Sequence, residues 1–179
     1  ARGAVDQVVV NISDCGVGNV PGQVLVTFAL GSCIGLTAYD PVAAVGGLLH
    51  FMLPDSTIDP ERARANPCMF ADTGIPLLLD RICQRGASKR RLAVHAVGAA
   101  QMLDPQGVFD IGKRNYQAMR RALWKSGILL QGEAVGGSES RTLRLEIGTG
   151  RLWFQQGGNQ RELAPAMPLP GGKSCHTAS

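Results

Sequence analysis

The stretch from Val24 to Leu53 constrains this chain more than any other. An apolar, β-branched run, Val24 to Leu30, meets a Gly31-Ser32-Cys33 corner, and a second apolar run, Cys33 to Tyr39, follows at once. The turn-like segment Asp40-Pro41-Val42-Ala43-Ala44 then leads into a third run, Val45 to Leu53. The pattern predicts three short buried strands in succession, with a thiol at the tight corner between the first two. Gly31 tolerates backbone angles that a residue with a Cβ does not, so such a corner can present Cys33 and aim the N–H groups around Gly31 and Ser32 at one point. That is the arrangement of a nucleophile beside an oxyanion hole.

The candidate base follows from hairpin pairing. If the turn after Asp40 folds the second and third runs back antiparallel, paired residue numbers sum to about 84 or 85. His50 then lies beside Ile34 or Gly35, next to Cys33. With a sum of 85 the two side chains share a face; with 84 they do not, because a one-residue slip reverses every side chain. Sequence leaves both registers open.

With 179 residues and a hydrophobic fraction of 45%, the chain is expected to be one soluble domain with a substantial core. Its apolar runs are too short for a membrane-spanning helix. The five cysteines (Cys15, Cys33, Cys68, Cys83, Cys175) are odd in number and irregularly spaced, so neither a disulfide framework nor a zinc site is indicated. No signal-peptide pattern appears, and reduced thiols in the cytoplasm are expected. No metal or other cofactor is expected. The net charge of +4 gathers at Lys89-Arg90-Arg91 and along Lys113, Arg114, Arg120, Arg121 and Lys125. No aromatic interleaving or nucleic-acid motif accompanies it, so it reads as a solvated surface or one that attracts an acidic protein partner.

Along the rest of the chain, Val5 to Ile12 reads as a first strand and Ser13 to Gly22 as a loop containing Cys15. Residues 58–69 read as a loop with a short helical turn. Asp72 or Thr73 is placed to cap a helix with Pro76 in its first turn, Ile75, Leu78, Leu79 and Ile82 on its apolar face, Cys83 as a packed residue, and Gly86 as its stop. Arg91 to Gly98 alternates as a strand whose His95 reads as packing rather than catalytic. A second helix opens at Ile111-Gly112 and ends near Gly127, with Asn115 read as hydrogen bonding at its start in preference to capping or cross-linking a loop near the Cys33 corner. Strands are expected at 128–135, 141–147 and 151–155, and a mobile tail from Gly157 to Ser179, which carries Cys175 and His176. The catalytic domain is thus bounded at residues 1–156.

The runs LGSCIGLTAYDP and GGLLHFMLP resemble the signature of the CheD family of chemoreceptor glutamine deamidases. Further segments agree in order: FADTGIPLLL (70–79), GASKRRL (86–92), VGAAQM (97–102), IGKRN (111–115), an AVGG turn (134–137) and TGRLWF (149–154). The resemblance implies an α+β fold, a layered sandwich of mixed β-sheets packed together and flanked by helices. It implies a cysteine hydrolase that converts glutamines of methyl-accepting chemotaxis receptors to glutamate with release of ammonia. It assigns Cys33 as nucleophile, His50 as base and Thr27 as third member of the triad. A CheC-type phosphatase is the partner it implies; separately, the chain is expected to be a monomer that binds no nucleic acid. The alternative is a non-catalytic adaptor that binds receptors or CheC without turnover. Two segments depart from the family pattern: Gly136-Gly137-Ser138-Glu139-Ser140-Arg141 has serine where a third glycine is usual, and Gly98-Ala99-Ala100 replaces a GGA segment.

Overall fold

The structure, a computed structural model, describes residues 4–102 and 110–168. In chain order the strands are β1 (Gln7–Val9), β2 (Asp14–Gly18), β3 (Val24–Leu30), β4 (Ile34–Asp40), β5 (Val45–Phe51), β6 (Ala93–Gly98), β7 (Leu130–Val135), β8 (Arg141–Glu146), β9 (Leu152–Gln156) and β10 (Asn159–Ala164). The helices are α1 (Pro60–Ala65), α2 (Ala71–Gln84) and α3 (Ile111–Lys125). The strands form two five-stranded sheets, ordered β1-β3-β8-β9-β10 and β2-β5-β4-β6-β7. Both are mixed: β1 runs parallel to β3 and β6 parallel to β7, while the other neighbours are antiparallel.

Two apolar layers hold this together. Leu25, Leu30, Tyr39, Leu48, Val97, Leu143, Leu145 and Phe154 fill the space between the sheets. The far face of the second sheet, with Ile34, Leu36, Leu49, Phe51, Val94 and Ala96, packs on Ile75, Leu78 and Ile82 of α2 and Met119 and Leu123 of α3. Every residue of β4 and β5 is buried, because these central strands are covered by the other sheet on one side and by helices on the other. The expected α+β sandwich is what the chain forms, in the order sheet, sheet, helices.

Several local expectations are corrected. The Ser13–Gly22 segment is not all loop: β2 lies along the free edge of β5, pairing Asp14 with His50 and Cys15 with Leu49, which satisfies backbone groups that glycine content alone marked as irregular. Residues 56–69 form α1 between two single 3-10 turns, with Asp59 accepting from the Arg62 N–H as its cap. Helix α2 starts at Ala71 without a side-chain cap; Asp72 instead accepts from the Ser56 N–H and hydroxyl, and Pro76 lies inside the helix. Cys83 is exposed, one position off the buried stripe. The boundary at 156 also moves, because β10 adds an edge strand to β9 where the tail was expected, and Leu163 and Ala164 pack against the inter-sheet layer. Cys175 and His176 lie outside the described residues.

Candidate active site

The β4–β5 hairpin takes the register with sum 85: Ile34 pairs with Phe51, Gly35 with His50 and Asp40 with Val45. Asp40 holds the turn. Its Oδ1 accepts from the Val42 and Ala43 N–H groups, and its carboxylate also takes the Ser88 N–H and the Arg91 guanidinium, at 2.8 and 2.9 Å from Oδ2. Burial alone would raise the Asp40 pKa, but Arg91 and these N–H groups hold it at about 2. The register sets His50 opposite Gly35 and leaves Cys33 one residue before β4, packed against the same inter-sheet layer that Gly35 faces, with no hydrogen bond from the thiol to the imidazole. Gly35, opposite His50, sits where a Cβ would meet the Leu30 and Leu143 side chains at 3.0 Å, so a larger residue there would have to push these leucine methyl groups aside.

The imidazole is 2% exposed and Thr27 is fully buried on the facing sheet. The Thr27 hydroxyl lies 2.6 Å from the Val10 carbonyl oxygen and 2.7 Å from His50 Nδ1. A hydroxyl has one proton, and a carbonyl can only accept. Thr27 therefore donates to Val10, and Nδ1–H must donate to Thr27. The ring's remaining lone pair is on Nε2, which has no hydrogen-bond partner among the described residues. The imidazole is thus oriented and set in one tautomer. Sequence reading did not find the Val10 carbonyl in this role, because main-chain acceptors leave no mark in side-chain patterns.

The corner that carries Cys33 is held by its carbonyls. Those of Gly31, Ser32 and Cys33 accept from the Ala100 N–H at 2.8 Å, Asn115 Nδ2 at 2.9 Å and the Ala99 N–H at 2.9 Å. In a trans peptide the next residue's N–H points opposite to the carbonyl, and no peptide among the described residues is cis. The Ser32 and Cys33 N–H groups consequently point away from Ala100 and Asn115. Asn115 is fully buried and also donates to the Met52 carbonyl at 3.0 Å, so it ties the Cys33 corner to the residue that follows β5. The helix-start role expected for it is replaced by this cross-link. Gly98 completes the clamp: its φ is +125°, and a Cβ there would fall on the Cys33 carbonyl.

Burial pushes the Cys33 thiol up, offset in part by its own backbone N–H, and pushes His50 down to about 4. Both shifts favour the neutral forms, a thiol and an imidazole at rest. A cavity of about 250 Å³ opens beside His50, lined by Val10, Ile12, Thr27, Phe28 and His50 among others. His95 is buried opposite Thr37, two ladder positions from Gly35, and its pKa is lowered by burial; it packs in the sheet. Among the described residues no group of three or more His, Cys, Asp or Glu side chains is placed to hold a metal ion.

The family model described as CheD chemotactic sensory transduction matches residues 52–156. The chain belongs to the CheD family. It is 66% identical over 168 residues, 94% of this chain and 99% of the relative, to the probable chemoreceptor glutamine deamidase CheD of Solibacter usitatus. It is 48% identical over 157 residues, 87% and 98% of the two chains, to the corresponding CheD 1 of Syntrophus aciditrophicus. With the archaeal relative from Pyrococcus horikoshii the identity is 43% over 148 residues, 82% and 90% of the two chains. The family model begins just past His50. The Solibacter CheD alignment omits only 11 of the 179 residues, so it extends across the Thr27–His50 region.

Proposed function

We propose that this CheD protein is a protein-glutamine deamidase acting on chemoreceptors, with Cys33 as nucleophile, His50 as general base and acid, and Thr27 as the residue that orients His50. The observation that carries the reading is the Val10–Thr27–His50 relay, which leaves Nε2 unpartnered on the side of the sheet against which Cys33 also packs. The choice of chemoreceptor glutamines rests on the names of its relatives.

The Cys33 sulfur attacks the side-chain carbonyl carbon of a glutamine while its proton passes to His50 Nε2. The Ser32 and Cys33 N–H groups hold the oxyanion, with Gly31 shaping the corner. His50 returns the proton to the amide nitrogen, which leaves as ammonia, and a thioester remains. Water then attacks the thioester carbon, giving a proton to His50; the sulfur departs and regains it, leaving glutamate. Starting from a neutral pair suits this sequence, because proton transfer accompanies attack.

The protein works as a monomer in the cytoplasm, where the receptor's signalling domain lies, and a CheC-type phosphatase is its candidate partner. Among the described residues no helix is long and apolar enough to cross a membrane. The test is ammonia release on incubation with a purified receptor cytoplasmic domain. Release by the native protein and none by Cys33→Ala supports the reading. Receptor binding without ammonia from either protein overturns it in favour of the adaptor.

A further inference from the structure

Helix α3 buries one stripe, including Asn115, Ala118, Met119 and Leu123, against the second sheet. Trp124 stands one residue off that stripe and is 83% exposed. Arg120 and Arg121, four and three residues before it, share its side of the helix, and Lys125 follows it. Where the chain turns from α3 into β7, Leu129 is 81% exposed. Between these two side chains runs a groove of about 550 Å³, floored by Leu123, Ile128 and Leu130 and rimmed by Arg120, Arg121 and Lys125. Beyond the rim, Asp55 and Asp72 share a neighbouring hollow with Arg121 and Lys125, and the Asp55 pKa is lowered by bonds from Thr57 and then by Arg121 and Lys125. Among the described residues the groove itself is lined by three cations and no carboxylate.

An exposed tryptophan with an adjoining leucine over an apolar floor is the composition of a binding hot spot, not of a solvated helix face. Five of the eight lining residues lie on α3 and only Leu130 on a strand, which suits a helix packed beside α3 better than a strand added to β7. The basic rim selects the partner's charge. We propose that this groove docks an amphipathic helix of a partner protein, with its apolar stripe on Trp124 and Leu129 and acidic residues flanking the stripe against Arg120, Arg121 and Lys125. The groove is distinct from the catalytic site, since Trp124 lies nine residues from Asn115, about 13 Å along α3. The proposal does not depend on the deamidase reading.

The test uses the full-length ¹⁵N-labelled protein and two synthetic helical peptides. Both carry Leu at i, i+3, i+4 and i+7; one has Glu at the polar positions and the other Lys. The chain has two tryptophans, and Trp153, stacked under Arg151 on β9, is an internal control for the Trp124 indole N–H resonance. The Glu peptide is expected to shift Trp124 and leave Trp153 in place, with affinity about tenfold above the Lys peptide. L129S, and separately R121E/K125E, should each weaken it about tenfold while the remaining spectrum shows an intact fold. An unmoved Trp124 resonance, equal affinity for the two peptides, or shifts confined to the outer edge of β7 would each overturn the proposal.

Discussion

At the residue scale the account rests on a single proton. Because Thr27 has one hydrogen and gives it to Val10, His50 is held with Nδ1 protonated and Nε2 free. Thr27→Val keeps the shape and removes the relay, leaving the Val10 carbonyl and Nδ1–H unpaired in a buried site. Such a loss costs about 1–3 kcal/mol, which predicts a kcat roughly 5–150-fold lower with KM little changed in steady-state deamidation assays. The His50 shift makes a second prediction. Its pKa falls from an ordinary 6.5 to about 4 on folding, so between those values the unfolded chain binds more protons than the native one. Stability is therefore full above pH 6.5 and declines as pH falls toward 4; His50→Gln should flatten that part of a Tm-against-pH curve. The acid limb of kcat/KM should likewise lie near 4, not 6.5.

At the scale of elements, the hairpin and its clamps decide whether that chemistry is assembled. Gly98→Ala puts a methyl group on the Cys33 carbonyl at a φ of +125°, which backbone strain and overlap should make one of the most destabilising single substitutions, about 3 kcal/mol or more by denaturant unfolding. Asn115→Ala removes both donors of the cross-link and should lower kcat while leaving α3 folded by circular dichroism. Much of this arrangement is legible in sequence. The apolar runs, the corner glycine and the Asp40-Pro41 turn reveal the β3–β4–β5 succession because period and turn chemistry are local. The choice between registers 84 and 85 is not local: it is decided by which face Leu48 and Tyr39 must bury against the other sheet. The role of Asn115 is hidden for the same reason, since its partners, Ser32 and Met52, lie 83 and 63 residues away.

At the scale of the molecule, two sheets and a helical layer bring Thr27 from one sheet to His50 on the other, so the site exists only when the sandwich is closed. The polar strand β10 reads as tail because its residues are mostly exposed, and its pairing with β9 is carried by main-chain bonds that composition does not reveal. Truncation after Gly157 removes that strand and uncovers Leu163's place on the inter-sheet layer; loss of even about 1 kcal/mol should lower Tm by roughly 2–4 °C, whereas a free tail would leave it unchanged. The measurement that bears most directly on the central claim is site-resolved mass spectrometry of a receptor cytoplasmic domain after incubation with the native protein, Cys33→Ala and Thr27→Val. The account predicts conversion of chosen glutamines to glutamate by the native protein, slow conversion at the same sites by Thr27→Val, and none by Cys33→Ala. Conversion that continues without the Cys33 thiol would contradict it.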